Sequence, residues 1–228
     1  MNIAIIPARG GSVRIPRKNI KKFSGKPMIA YAIENAIKSN IFHKVIVSSE
    51  DKEILTISKE YGAEIPFERK SSLADGNTNT IPVIENAIQE CENLGMTIEN
   101  VCCIYPCSPF ITPEDLINSF KLLNTSEKDY VIPVTEFGFP IQRAVKLNTE
   151  NELNMFQPEY ELSRSQDLEP AYHDTGTFYW GKRDSWFKNN RFYSSATGYI
   201  IPKFRVVDID THEDWVNAEL KFQALQKY

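Results

Sequence analysis

Residues 3–40 read IAIIPARGGSVRIPRKNIKKFSGKPMIAYAIENAIKSN, and their order decides the fold. IAII (3–6) is a short apolar run stopped by Pro7, the pattern of a buried strand running into a loop. The loop that follows, ARGGSVRIPRKN (8–19), is glycine-rich and basic. PMIAYAIENAIKSN (27–40) then places apolar residues at helical spacing, with Pro27 at a first-turn position. A strand that ends in a loop and returns through a helix is the opening unit of a parallel sheet.

The same rhythm continues outward. KVIVSS (44–49) reads as a strand and DKEILTISKEYG (51–62) as a helix ended by Gly62. IPVIENAIQECENLG (81–95) is another helix closed by glycine. VCCIY (101–105) is a strand, PCSPFITPEDL turns into a helix capped by Thr112 with Pro113 first, and DYVIPVT (129–135) is a further strand. Alternation over the first 135 residues predicts parallel strands in a Rossmann-like three-layer α/β sandwich. The rhythm then changes. IQRAVKL, LNMF and TGTFYWG cluster aromatic and β-branched residues without helical period, which predicts antiparallel ribbons over 136–181. They read as an excursion from the core and an arm for dimerisation. FRVVDID (204–210) reads as a late strand and THEDWVNAELKFQALQKY (211–228) as the closing helix. With no internal repeat, residues 1–228 read as one domain carrying that excursion.

The chain of 228 residues is 42% hydrophobic and 25% charged, the composition of an ordinary soluble domain. No apolar run approaches the roughly 20 residues that span a bilayer. MNIAIIPARGG lacks the basic leader and apolar length of a signal peptide, so a cytoplasmic location is expected and a membrane partner is not. Cys91, Cys102, Cys103 and Cys107 have no histidine nearby in sequence and read as reduced packing residues. A net charge of −4 argues against nucleic acid. Its distribution says more. Residues 1–33 hold Arg9, Arg14, Arg17, Lys18, Lys21, Lys22 and Lys26 and no acid, while the rest carries 19 basic against 30 acidic residues. One concentrated basic loop on an acidic chain suits a compact anion such as phosphate.

Three stretches carry chemistry. In the first, Gly10 and Gly11 let the backbone approach an anion at the carboxyl edge of the sheet, and Arg9, Arg14 and Lys18 add charge. The spacing is neither that of a Walker loop nor that of a dinucleotide fingerprint. In the second, VDID, Asp208 and Asp210 stand two residues apart on an extended segment, so both carboxylates share a face and suit a hard divalent cation. The competing reading is helix capping, because Thr211 and Asp214 have capping-box spacing. In the third, RSQDLEPAYHDTGTFYWG (164–181), Arg164 suits a carboxylate clamp and His173 a single donor. Tyr172, Phe178, Tyr179 and Trp180 are better read there as packing residues.

Together, in this order, IIPARGGSVRIPRKN, RKSSLADGNTNT, YPCSPFITPEDL and VVDIDTHEDW resemble the acylneuraminate cytidylyltransferase family. YPCSPFI, MFQPEY and RSQDLEPAYHDTGTFYWG resemble most its branch acting on pseudaminic acid. The resemblance covers the whole chain and implies a sandwich of the nucleotide-diphospho-sugar transferase type, a homodimer, Mg2+ as cofactor, and CTP with an acidic nine-carbon sugar as partners. It implies that Arg9, Gly10, Gly11, Ser12, Arg14, Lys18 and Asn19 hold the triphosphate, and that Arg69, Thr78 and Thr80 belong to the cytidine stretch. Asp208 and Asp210 match the magnesium ligands and, with Lys18, the catalytic groups. The sugar is expected against Tyr105, Ser108, Arg143, Arg164, Gln166, Asp167 and His173. Tyr105, His173 and Thr175 depart from the groups that sialic acid enzymes carry, which points away from N-acetylneuraminate. Val13 departs from the family's usual lysine.

The implied reaction is attack of the sugar's anomeric hydroxyl on the α-phosphorus of CTP with release of pyrophosphate, Lys18 and the loop amides supporting the leaving group. Two rivals stand beside it. A nucleotide-sugar-dependent glycosyltransferase also uses an Asp-x-Asp metal motif, normally mid-chain. A non-catalytic CTP-binding protein is suggested by Val13.

Overall fold

The computed structural model describes residues 1–75, 78–188 and 192–226. β1 (Asn2–Pro7) leads through the basic loop into a short antiparallel pair, β2 (Lys22–Phe23) and β3 (Lys26–Pro27), and then into α1 (Met28–Ser39). β4 (Lys44–Ser48), α2 (Lys52–Glu60), α3 (Thr80–Asn93), β5 (Asn100–Ile104) and α4 (Pro113–Thr125) follow. β6 (Tyr130–Glu136) closes the alternating part. The hairpin β7 (Val145–Leu147) and β8 (Leu153–Met155) comes next, then β9 (Tyr172–Asp174), β10 (Phe178–Lys182), β11 (Ala196–Ile200) and α5 (His212–Leu225). No helix among the described residues is long and apolar enough to cross a membrane.

The principal sheet runs in the order β11-β6-β10-β5-β1-β4, with β9 paired to β6. β1 lies parallel between β4 and β5, and successive side chains along it face opposite layers. Ala4 and Ile6 pack with Ile29, Ile33 and Ala36 of α1 and Leu116 of α4. Ile3 and Ile5 pack with Ile84, Ala87 and Ile88 of α3. Helices on both faces explain why the parallel strands read as unbroken apolar runs. Cys102 and Cys103 fall on opposite faces of β5 and, with Cys91, are buried free thiols.

Helix limits follow local chemistry. Asp51 caps α2 by accepting from the amides of Glu53 and Ile54 at 3.0 and 3.1 Å. Thr112 and Asp115 form a reciprocal capping box on α4, with Pro113 in its first turn, as the sequence predicts. Beyond α2 and α3, Gly62 and Gly95 take positive φ values of +93° and +87°.

Three expectations are corrected. The strands called by the alternating pattern do not all adjoin, because β10 inserts antiparallel between β5 and β6. TGTFYWG therefore supplies a core strand, and the excursion ends before residue 172. Residues 204–210 form no strand; Lys203–Arg205 is a single 3-10 turn and 206–210 pairs with nothing in a sheet. β11 is a strand that apolar patterning misses, since its Gly198 and Thr197 interrupt the run.

A third cluster lies beside the sheet. Ile15 from the basic loop, Ile209 from the Asp-Ile-Asp segment and Trp215 from α5 pack with Phe23, Met28, Tyr31 and Phe110. The two stretches with the strongest chemical signal thus share one apolar anchor.

Candidate active site

The chain passes from β1 outward to β4, and β5 then lands on the other side of β1. Loops leaving the carboxyl ends of β1 and β5 therefore diverge, the place where open α/β sheets hold ligands. A cleft of about 430 Å³ opens there. Arg9, Ser12, Val13, Arg14, Lys18 and Asn19 line it from the basic loop, Arg69 and Thr78 from the stretch before α3, Thr80 from the first turn of α3, and Tyr105 and Cys107 from beyond β5. Asp208 and Asp210 close one side.

The loop is pinned from beneath. Gly10 donates its amide to Glu50 Oε1 at 2.8 Å, and a Cβ built there would lie 2.4 Å from Asp51 Oδ2. Glycine is required by that approach, and neither Gly10 nor Gly11 lines the cleft. Arg17, at φ +57°, points away from the cleft and binds Asp51 and Glu53. That guanidinium holds the Asp51 carboxyl down at about 2, against the opposing effect of burial. Asn19 is buried, donates to the Arg9 carbonyl at 2.9 Å and accepts from the Cys107 thiol at 3.5 Å. Burial pushes that thiol up to about 12, so it is protonated at neutral pH.

Arg69 is buried, donates from Nε to Ser48 Oγ at 3.2 Å and also binds the Ser48 carbonyl; its NH1 lies 3.9 Å from Glu50 Oε2. Arg9 donates to the Asp75 carbonyl at 3.2 Å, and Thr78 binds the Asp75 carboxylate. Thr80 Oγ1 and the Tyr105 phenol oxygen stand 2.6 Å apart. Burial pushes the Tyr105 phenol up to about 12, so it stays a hydrogen-bonding hydroxyl.

The Asp-Ile-Asp segment keeps its alternation without a strand. Ile209 is buried in the third cluster while Asp208 and Asp210 both line the cleft. Capping is satisfied as well: Thr211 and Asp214 form a capping box on α5, so the two readings of this stretch coexist. Asp210 binds Arg14 NH1 at 2.8 Å and stands 3.5 Å from Lys18 Nζ, which donates to the Ile209 carbonyl at 2.6 Å. No cluster of three or more histidine, cysteine, aspartate or glutamate ligands occurs among the described residues. Two carboxylates beside a basic loop fit magnesium, which commonly takes one or two protein carboxylates and completes its shell with phosphate oxygens and water. They do not suit a cation that needs an all-protein cage.

A second compartment of about 580 Å³ adjoins the cleft and shares Thr175, Gly176 and Asp208 with it. Thr135, Glu136, Gly138, His173, Asp174, Lys203 and Val206 form its other walls. Asp174 accepts from the Tyr179 phenol at 2.6 Å and the Gly176 amide at 2.7 Å. Burial raises that phenol far above its usual range, so it remains the donor.

Of the residues expected to meet the sugar, His173 lines the second compartment and Tyr105 lies on the other side, against Thr80. Ser108 is buried and donates to the Thr177 carbonyl at 3.1 Å. Arg143, Arg164, Gln166 and Asp167 line neither space. They sit on the excursion, which contributes no residue to the three core clusters and bonds largely to itself, as in Arg143 NH1 to Ser165 Oγ at 3.4 Å. The start of the excursion is tied to the second compartment, where Glu136 and Gly138 line the wall and Lys203 donates to the Phe137 carbonyl at 3.0 Å. Sequence reasoning misses Glu50, Asp174 and Lys203. Glu50 had a usable signal, since it follows the end of a parallel strand just as the basic loop does.

A family model described as Cytidylyltransferase matches residues 3–209. The chain is 40% identical over 224 residues to a pseudaminic acid cytidylyltransferase of Campylobacter jejuni, covering 98% of this chain and 97% of the other. A Helicobacter pylori protein named pseudaminic acid cytidylyltransferase and UDP-2,4-diacetamido-2,4,6-trideoxy-beta-L-altropyranose hydrolase is 35% identical over 99% of this chain and 43% of its own length. Among solved structures, a CMP:2-keto-3-deoxy-manno-octonic acid synthetase complexed with CTP superposes with a TM-score of 0.72 over 100% of this chain and 99% of the other. At 14% identity that likeness speaks for the fold alone.

Proposed function

The chain belongs to the cytidylyltransferase family, and on that premise we propose that it transfers CMP from CTP to the anomeric hydroxyl of a nonulosonic acid, pseudaminic acid, with release of pyrophosphate. The observation that carries this reading is the pair of joined spaces. One is lined by the basic loop and suits a polyphosphate, the other suits a sugar, and Asp208 belongs to both. A reaction at the α-phosphorus needs the nucleotide and the acceptor to meet at such a wall. The C. jejuni and H. pylori relatives favour pseudaminic acid as acceptor.

In this reading Arg9, Ser12, Arg14 and Lys18 hold the triphosphate, and Arg69, Thr78 and Thr80 face the nucleoside. The anomeric hydroxyl gives up its proton to water, and its oxygen bonds to the α-phosphorus as the bridge to the β-phosphate breaks. Lys18 stands where charge develops on the departing pyrophosphate. Asp208 and Asp210 would hold magnesium, which when bound neutralises phosphate oxygens. Asp210, which binds Arg14 and lies near Lys18, would be free to hold the cation once both side chains turn to phosphate.

A homodimer and a cytoplasmic location belong to the same proposal. The excursion exposes Phe139, Leu147, Leu153 and Leu162, apolar side chains that a second copy would cover. Since Arg143, Arg164, Gln166 and Asp167 line neither of the two spaces described above, a second copy's cleft is where they could meet the sugar.

The rival glycosyltransferase reading gains nothing from the relatives, and the non-catalytic reading rests on Val13 alone. Incubation with CTP labelled at the α-phosphorus separates all three. Cytidylyl transfer moves the label into a sugar conjugate and leaves the pyrophosphate unlabelled. Binding without label transfer would overturn the proposal.

A further inference from the structure

The second compartment has an electrostatic problem. Glu136, Asp174 and Asp208 place three carboxylates in its walls, yet the acceptor proposed above is itself an acid. His173 does not resolve it. Its Nδ1 lies 2.9 Å from the Asp174 carbonyl, which can only accept, so that nitrogen is already committed as a donor. That leaves one ring nitrogen for the sugar, and an imidazole, unlike a lysine ammonium, is not a standing cation near neutral pH.

Lys203 is the remaining cation in those walls. It opens the one-turn 3-10 segment Lys203–Arg205, whose far end is fixed where Arg205 NH2 meets the buried Asp115 carboxylate at 2.9 Å. Its ammonium donates to the Phe137 carbonyl at 3.0 Å and stands 3.4 Å from Glu136 Oε2. An ammonium has three N–H groups, so one remains for a ligand. Close by in the same wall, Thr135 is 3% exposed, and its hydroxyl oxygen has no hydrogen-bond partner among the described residues. We infer that Lys203 receives the carboxylate of the acidic sugar and thereby sets both affinity and orientation in the second compartment. A nonulosonic acid bears its carboxylate directly on the anomeric carbon. Fixing that group therefore fixes the reacting hydroxyl toward Asp208, the residue shared with the nucleotide side.

This inference rests on the cytidylyltransferase reading, and its test separates the two. Pyrophosphate release is measured for wild type, Lys203→Gln and Lys203→Arg, with the free acid sugar and with its methyl ester. Wild type is expected to favour the acid by about tenfold or more in kcat/KM, the scale of one charge-assisted hydrogen bond. Lys203→Gln raises KM for the acid about tenfold, leaves KM for CTP in place and brings acid and ester close to parity. Lys203→Arg restores most of the preference. An unchanged acid KM and acid preference in Lys203→Gln overturns the assignment, as does an equal loss for CTP and acid. A wild-type protein that turns over no acidic sugar overturns the functional reading, and this inference with it.

Discussion

Arg14 meets Asp210 across the mouth of the cleft, NH1 to Oδ2 at 2.8 Å, joining the loop after β1 to the segment before α5. Lys18 stands 3.5 Å from the other oxygen of the same carboxylate. The groups proposed for triphosphate and for metal thus bind one another, and a polyphosphate drawing Arg14 and Lys18 away would leave Asp210 to a cation. Asp208→Asn and Asp210→Asn are each expected to remove most turnover. Arg14 is exposed and Asp210 partly so, and solvent-screened pairs contribute about 0–1 kcal/mol, so the melting temperature should move little without magnesium. Near-normal turnover of either variant at limiting magnesium would remove the metal assignment.

Val13 is 88% exposed and lines the same cleft, at the position where the family resemblance leads one to expect lysine. Exposure means that a longer cationic side chain meets no packing barrier. Val13→Lys is expected to strengthen CTP binding or raise turnover by about tenfold, the scale of a charge-assisted phosphate contact. Titration calorimetry with CTP checks it. An unchanged Kd and rate would mean that Arg14 already supplies the contact.

Gly10→Ala places a methyl group 2.4 Å from Asp51 Oδ2, beneath the loop and at the cap of α2. The cap, the Arg17 pair or the loop must then shift, at a cost of about 1–3 kcal/mol for overpacking. A lower melting temperature together with a raised KM for CTP is expected. Unchanged values of both would show the loop to be freer than the packing implies.

Asp115 carries stability for the Asp-Ile-Asp segment. It is 2% exposed, caps α4 and binds Arg205. Burial opposes its ionisation, but Arg205 and Thr112 outweigh burial and hold the carboxyl below its ordinary value. A depressed carboxylate contributes stability above its unfolded pKa, near 3.9, and that contribution is lost as pH falls through the lower folded value. Asp115→Ala leaves Arg205 uncompensated and should cost about 3–5 kcal/mol at neutral pH. Denaturant unfolding at pH 7 and pH 3 tests both points, because the loss should shrink at the lower pH.

The alternating core was legible because β1, β4 and β5 are buried on both faces and the helices carry stops or caps, as at Thr112 and Gly62. The place of β10 was not. Phe178 and Trp180 show burial, but which neighbours they join is decided by the chain's return, a tertiary matter. The Asp208–Asp210 segment was read correctly as a pair on one side and wrongly as a strand. Burial of Ile209 against Trp215 produces the alternation that a strand would also give. Lys203 lay outside every motif, and Asp174, though inside RSQDLEPAYHDTGTFYWG, was not singled out there, since the turn at Lys203–Arg205 and the strand β9 bring the two together only in the fold.

The most direct measurement is pyrophosphate release with CTP and magnesium across a panel of acidic nine-carbon sugars, recorded as kcat/KM for each. Release should require both CTP and sugar, and pseudaminic acid should exceed N-acetylneuraminate by several orders of magnitude. Two or three unpaired polar groups, at about 1–3 kcal/mol each, suffice for that ratio. Comparable values for the two sugars would contradict the assigned acceptor. No release with any acidic sugar would contradict cytidylyl transfer itself.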